Sequence, residues 1–174
     1  TPIPANNHIE PFIGNVPELW TYYCCAQDDK YVSNRFFSIP SQRNRVLGYQ
    51  LYKYDVKGFL HWVYNFWNTQ YSKKKINPYE ITDAGKAFQS GDSYVVYPKQ
   101  NGTALCSLRL KVFYDAFQDM MALQKLEKLA GRETALAVLE EGLEKELTFF
   151  EYPHSDSWML ETRERINKAI KDNL

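Results

Sequence analysis

Two short runs concentrate the side chains best suited to holding a ligand. Trp20, Tyr22 and Tyr23 lie in the first, and Trp62, Tyr64 and Trp67 in the second, close to the hydrogen-bonding groups His61, Asn65, Asn68 and Arg35. Flat rings beside groups that bind hydroxyls match a sugar ring, whose surface alternates apolar C–H and polar O–H patches. Carbohydrate is therefore the ligand class these residues imply. Alternation along an extended second run sends Phe59, His61, Val63 and Asn65 one way and Leu60, Trp62, Tyr64 and Phe66 the other, so His61 and Asn65 are expected to face a site. The same rings could instead fill a core between sheet and helices, and the sequence leaves both roles open.

Other chemistries find little support. His8, His61 and His154 are too far apart for any standard zinc spacing, and neither a Gly-x-Ser-x-Gly elbow nor a phosphate-binding glycine loop occurs. Among the acids, Asp28-Asp29 reads as solvated loop and Glu140-Glu141 as an exposed helix face. Asp115 and Asp119 share a helix face on which Asp119 adjoins an apolar stripe. Asp119, Arg45 and Arg109 are assigned to structural hydrogen bonding. Cys24, Cys25 and Cys106 form neither a disulfide framework nor a metal set, and reduced thiols are expected. No metal or other cofactor is expected, and no catalytic residue is assigned.

The elements that must position these residues follow from pattern and composition. In 174 residues, 20 of the 27 aromatic side chains precede residue 99, so the two parts of the chain have different tasks. Residues 19–26 and 59–67 are uncharged, aromatic runs of the kind that form buried parallel strands. Between them residues 41–54, opened by Ser41, predict a helix and hence a parallel β–α–β unit. Residues 68–105 predict a long, turn-rich connection covering a site, with one short strand at residues 94–97. Helices are predicted from Ser107 to about Ala130, stopped by Gly131, then at about 133–147, and from Ser155 or Ser157 to Lys171. The reading is one α/β unit, with residues 1–106 an aromatic-rich β–α–β portion and residues 107–174 a helical region.

Lysine plus arginine and aspartate plus glutamate both number 21, so net charge gives no reason to expect nucleic acid or an anionic membrane as partner. No apolar run reaches the roughly 18 residues a membrane helix requires. The start, Thr1-Pro-Ile-Pro-Ala-Asn-Asn, reads like a loop cut open and shows no leader pattern; with few cysteines this leans towards a cytoplasmic setting, the compartment itself staying undetermined.

Several ordered blocks carry a resemblance. Leu19-Trp-Thr-Tyr-Tyr-Cys-Cys, Ser33-Asn-Arg-Phe-Phe, Arg43-Asn-Arg-Val-Leu-Gly, Gly58-Phe-Leu-His-Trp-Val-Tyr-Asn-Phe-Trp, Ser90-Gly-Asp-Ser-Tyr-Val-Val-Tyr-Pro and Ser107-Leu-Arg-Leu with Gln118-Asp119 together resemble domain of unknown function 4091, which is similar to the catalytic region of glycoside hydrolase family 123. The resemblance covers about residues 5–130. It implies the C-terminal portion of a (β/α)8 barrel in which the two apolar runs are the last two strands and residues 107–130 the closing helix. Site-forming loops would then fall at residues 23–27 and 64–68.

Members of the resembled family cleave N-acetyl-β-galactosaminides with an adjacent Asp-Glu pair on an earlier strand, the substrate's own acetamido group attacking the anomeric carbon. No residue of this chain matches that pair, and His61-Trp62 stands where the family has Arg-Trp. The expectation is therefore the C-terminal segment of an N-acetyl-hexosaminidase-like glycoside hydrolase, inactive alone. Trp20, Tyr23, His61, Tyr64, Asn65 and Trp67 would contact an amino-sugar glycoside. An open sheet edge would drive self-association or pairing with the missing N-terminal barrel portion. The alternative is a non-catalytic carbohydrate-binding or structural interaction module.

Overall fold

The computed structural model describes residues 1–27 and 31–174, so Asp28 and Asp29 lie outside the described residues. Strand β1 (Trp20–Tyr22) pairs in parallel with β2 (Gly58–Leu60), Trp20 opposite Gly58 and Tyr22 opposite Leu60. Helices α1 (Gln42–Arg45) and α2 (Leu47–Lys53) form the crossover. The expected β–α–β unit is therefore present, with ladders shorter than the apolar runs that contain them. On the far side of β1, the carbonyls of Pro2 and Pro4 accept from the amides of Trp20 and Tyr22 at 3.1 and 3.2 Å. This makes β1 an interior strand flanked by chain on both sides.

Beyond Leu60 the second run leaves the ladder. Asn65 forms an isolated antiparallel bridge with Tyr94, the Val95 amide donates to the Tyr64 carbonyl at 2.9 Å, and the Phe66 amide to the Ser93 carbonyl at 3.0 Å. Strand periodicity therefore cannot be carried through to Trp67. The long connection contains a hairpin not expected from the sequence, β3 (Val96–Pro98) with β4 (Ala104–Cys106), closed by the Asn101-Gly102 turn. Short 3-10 turns at Asn6–His8, Glu10–Phe12 and Gln70–Ser72 complete this part.

The helical region is α3 (Leu108–Ala130), α4 (Arg132–Glu140) and α5 (Asp156–Asp172). Ser107 and Ser155 cap α3 and α5, each hydroxyl accepting from the amide three residues on, which satisfies an otherwise orphaned donor. Gly131, at φ +87°, turns the chain between α3 and α4 in a conformation that disfavours a side chain. Helix α4 stops seven residues short of the predicted end because Glu141 takes an extended ψ of 125° and breaks the hydrogen-bond ladder.

Two apolar clusters hold these layers together. One joins Val46, Tyr49 and Tyr52 to the inner faces of α3, α4 and α5 through Leu123, Leu126, Leu139, Trp158 and Ile166. The other lies between the strands and the helices and contains Leu19, Tyr23, Leu47, Leu51, Val95 and Phe113. Asp119 is fully buried on α3, where Arg45 chelates it from α1 at 2.7 and 3.0 Å and Arg163 reaches it from α5 at 2.8 Å. Charge pairing thus locks three helices at a position that would otherwise penalise a carboxylate. None of the helices among the described residues is long and apolar enough to cross a membrane.

Candidate functional site

The two faces of the β1–β2 ladder differ in what covers them. Towards the helices, Tyr23 is fully buried, its ring edge-on to Phe59 at 4.8 Å and stacked with Phe113 at 6.0 Å. The Tyr23 hydroxyl donates to Asn44 Oδ1 at 2.5 Å, and burial pushes its ionisation far above the ordinary phenol range. His61 lies on the same side, edge-on to Phe113 at 5.5 Å, with Nδ1 held against the Val63 carbonyl and no partner for Nε2 among the described residues. Desolvation, aided by the Arg35 charge, pushes the His61 pKa down to about 3, so the imidazole is neutral near pH 7.

The opposite face is open. Ile3, Tyr22, Cys24, Cys25, Leu60, Trp62 and Phe88 line a cavity of about 430 Å³. Trp62 is 37% exposed there and packs against Phe88 at 5.4 Å and Phe66 at 5.8 Å. Cys25 carries a thiol pushed up to about 11, first by burial and then by the Asp92 charge, which keeps it protonated. The three cysteines are free thiols.

Between the two faces runs a buried polar core. Arg35 and Asp92 have fully buried side chains, with Nη2 2.8 Å from Oδ1. The same guanidinium donates to the Asp92 carbonyl and to Asn34 Oδ1, both at 2.9 Å, and lies 4.9 Å from the Tyr23 ring centroid. Burial raises the Asp92 pKa, opposed by Arg35, the Trp62 indole and the Cys25 thiol. Arg109 donates to the Tyr94 carbonyl at 2.6 Å and covers the Phe37 ring at 4.6 Å, fixing the loop that carries Asp92.

The six residues expected to contact a ligand are thus dispersed. Trp20 is half-buried across Gly58, its indole N–H donating to Glu18 at 2.8 Å. Tyr23 is inaccessible, and His61 is mostly enclosed on the helix side. Tyr64 and Asn65 are exposed, while Trp67 is half-buried and donates to the Val96 carbonyl at 3.0 Å. Trp62 and Asp92 were not among the six. Trp62 stood in the aromatic run, whereas Ser90-Gly91-Asp92 carried only a turn signal. No group of three His, Cys, Asp or Glu among the described residues is placed to hold a metal ion.

These features define a mixed α/β unit: a small parallel ladder backed by helices on one side, with an aromatic cavity on the other. The family described as "Glycoside hydrolase 123, catalytic domain" matches residues 1–126, and the chain belongs to it. Among solved structures, the chain is similar to a family 123 glycoside hydrolase from Clostridium perfringens, whose study concerns glycolipid glycan hydrolysis. The TM-score is 0.58 at 18% identity, over 87% of this chain and 26% of that one. The chain therefore spans about a quarter of the length of that enzyme. No curated protein matches.

Proposed function

We propose that this chain forms the C-terminal wall of a glycoside hydrolase barrel, with β1 and β2 as the last two strands and α3 as the closing helix. Its substrate is an N-acetylhexosaminide. The observation that carries this reading is the aromatic cavity on the helix-free face of a parallel ladder, in a chain belonging to a glycosidase family. In a barrel that face looks inward, and loops after the strands build the site.

In this reading the exposed or half-buried groups Trp20, Tyr64, Asn65 and Trp67 remain sugar contacts, and Trp62 joins them from the cavity. Tyr23 and His61 support the wall from behind, since neither ring stands on the open face. The acid and the carboxylate that orients the acetamido group come from an N-terminal portion carrying the Asp-Glu pair. The free edge of β2 is where that portion, or a second copy, pairs.

The test is hydrolysis of an aryl N-acetyl-β-galactosaminide by the pure chain, and by the chain produced together with an N-terminal family 123 barrel portion. Activity is expected only in the second case. Turnover by the chain alone overturns the proposal. A non-catalytic sugar-binding module, the second reading, is favoured by the cavity alone and predicts sugar binding with no activity in either case.

A further inference from the structure

The charges of this chain balance overall but not on the long connection after β2. Residues 68–105 hold five lysines, Lys73, Lys74, Lys75, Lys86 and Lys99, all exposed, whereas of their three acidic residues only Glu80 is exposed. Asp92 is buried beside Arg35, and Asp83 Oδ1 accepts from the amides of Gly85 and Lys86, both at 3.0 Å. None of the ion pairs among the described residues includes any of these five lysines. Three of them stand on a tight hairpin of residues 67–76. Asn68 bridges Lys75 antiparallel, the Ile76 amide donates to the Trp67 carbonyl at 3.1 Å, the Thr69 amide to the Lys74 carbonyl at 2.8 Å, and the Lys74 amide to Thr69 Oγ1 at 3.1 Å.

At the hairpin tip Tyr71 and Ser72 take φ of +60° and +55°. Neither is glycine, so the backbone is strained at both, and such strain persists only where the surroundings impose it. Its consequence is presentation: Tyr71 is 78% exposed, with the Lys73 ammonium 5.5 Å from its ring centroid. The hairpin adjoins the open cavity through one turn. Phe88, on the cavity wall, donates its amide to the Asp83 carbonyl at 3.1 Å, and Gly85 within that turn lies so close to Thr69 that an added Cβ would meet its methyl at 3.1 Å. An acidic sugar offers an apolar C–H face for a ring and a negative group for an ammonium. We infer that the 67–76 hairpin is a subsite for an anionic sugar, bearing a carboxylate or a sulfate, linked to the N-acetylhexosamine in the cavity. Tyr71 stacks on that sugar, and Lys73, Lys74 and Lys75 attract its charge. A membrane surface fits less well, because Tyr71 is the only large apolar side chain among residues 70–75. The inference rests on the sugar reading above for the neighbouring unit, and on the hairpin itself for the charge.

The test is calorimetry on the whole chain with four probes: a tetrasaccharide alternating N-acetylgalactosamine with glucuronic acid, its carboxyl-reduced neutral form, that neutral form bearing sulfate esters, and vesicles of phosphatidylcholine with phosphatidylserine. Exposed ion pairs are weak, so each acidic oligosaccharide should bind roughly three- to tenfold more tightly than the neutral one at low salt, the advantage fading as ionic strength rises. Lys73→Ser, Lys74→Ser and Lys75→Ser combined should abolish that advantage. Tyr71→Gly removes the ring and relieves the left-handed backbone; it should weaken the acidic probes by up to roughly tenfold without lowering the thermal midpoint.

Measurable but equal affinity for the acidic and neutral forms overturns the inference and leaves the sugar reading standing. So does an acidic advantage that survives the triple variant. Vesicle binding as tight as that of the oligosaccharides and lost in the triple variant also overturns it, and marks a membrane contact. A lower thermal midpoint in Tyr71→Gly overturns the role given to Tyr71 and makes the strained turn structural. A gain with only one acidic form supports the inference and identifies the group recognised. Absence of binding to any oligosaccharide overturns the sugar reading and the inference together.

Discussion

Acidification should expose the cost of burying His61. Its imidazole pKa, 6.5 when free, is pushed down to about 3 in the folded chain, chiefly by desolvation against Phe113 and Tyr23. The unfolded chain therefore takes up a proton that the folded chain refuses. The resulting stabilisation is complete above pH 6.5 and is lost as pH falls towards 3. Each pH unit below 6.5 costs at most about 1.4 kcal/mol, so the drop from pH 6.5 to about 4.5 removes about 2–3 kcal/mol from a total that is typically about 5–15 kcal/mol.

Asp92 acts in the opposite sense. Its raised pKa lets the folded state take up a proton first, so this group favours folding in acid and opposes it as pH rises through the folded value. That contribution is common to the wild type and to His61→Phe, and cancels in the difference. Urea unfolding of both proteins at about pH 7, 5.5 and 4.5 should give a stability gap that shifts in favour of His61→Phe by about 2–3 kcal/mol on acidification. Equal pH dependence in the two proteins refutes the reasoning, as does a His61 ring-proton titration centred near pH 6.5.

Three further outcomes follow from the packing. Gly48→Ala places a methyl group 1.9 Å from the Ala116 carbonyl oxygen, at the closest approach of α2 and α3; because the obstacle is backbone, a loss of roughly 1–3 kcal/mol or more is expected in chemical denaturation. Asp119→Ala leaves Arg45 and Arg163 facing each other without their carboxylate; both are partly exposed, so the loss should be about 2–3 kcal/mol, below the range for a fully buried pair. Trp67→Phe removes the bond to the Val96 carbonyl and leaves a smaller ring for a sugar to stack on; calorimetry with N-acetylgalactosamine should show weaker affinity, and thermal unfolding a loss of about 1 kcal/mol.

The sequence was most informative where structure is local. The helix over residues 41–54 is present as α1 and α2, interrupted only at Val46, because its hydrogen bonds close within one turn and its start lies in a polar stretch. Helix α3 runs between the serine cap and the glycine that the pattern marks, since capping depends on residues three or four apart. The second run shows the limit. Its composition predicts a strand to Trp67, but beyond Leu60 the backbone finds its partners in residues 93–95, and no property of the run itself announces that exchange.

By itself, then, the sequence determined that two aromatic runs flank a helix, that the chain ends in capped helices, and that its family is a glycosidase family. These depend on residue type and short spacing. Tertiary structure alone decided which rings face the open cavity, which leaves Trp62 exposed and encloses Tyr23. It also decided that Arg35 and Asp92, 57 residues apart, share one buried site. Burial and charge pairing belong to the neighbours that folding assembles, and those neighbours are distant along the chain.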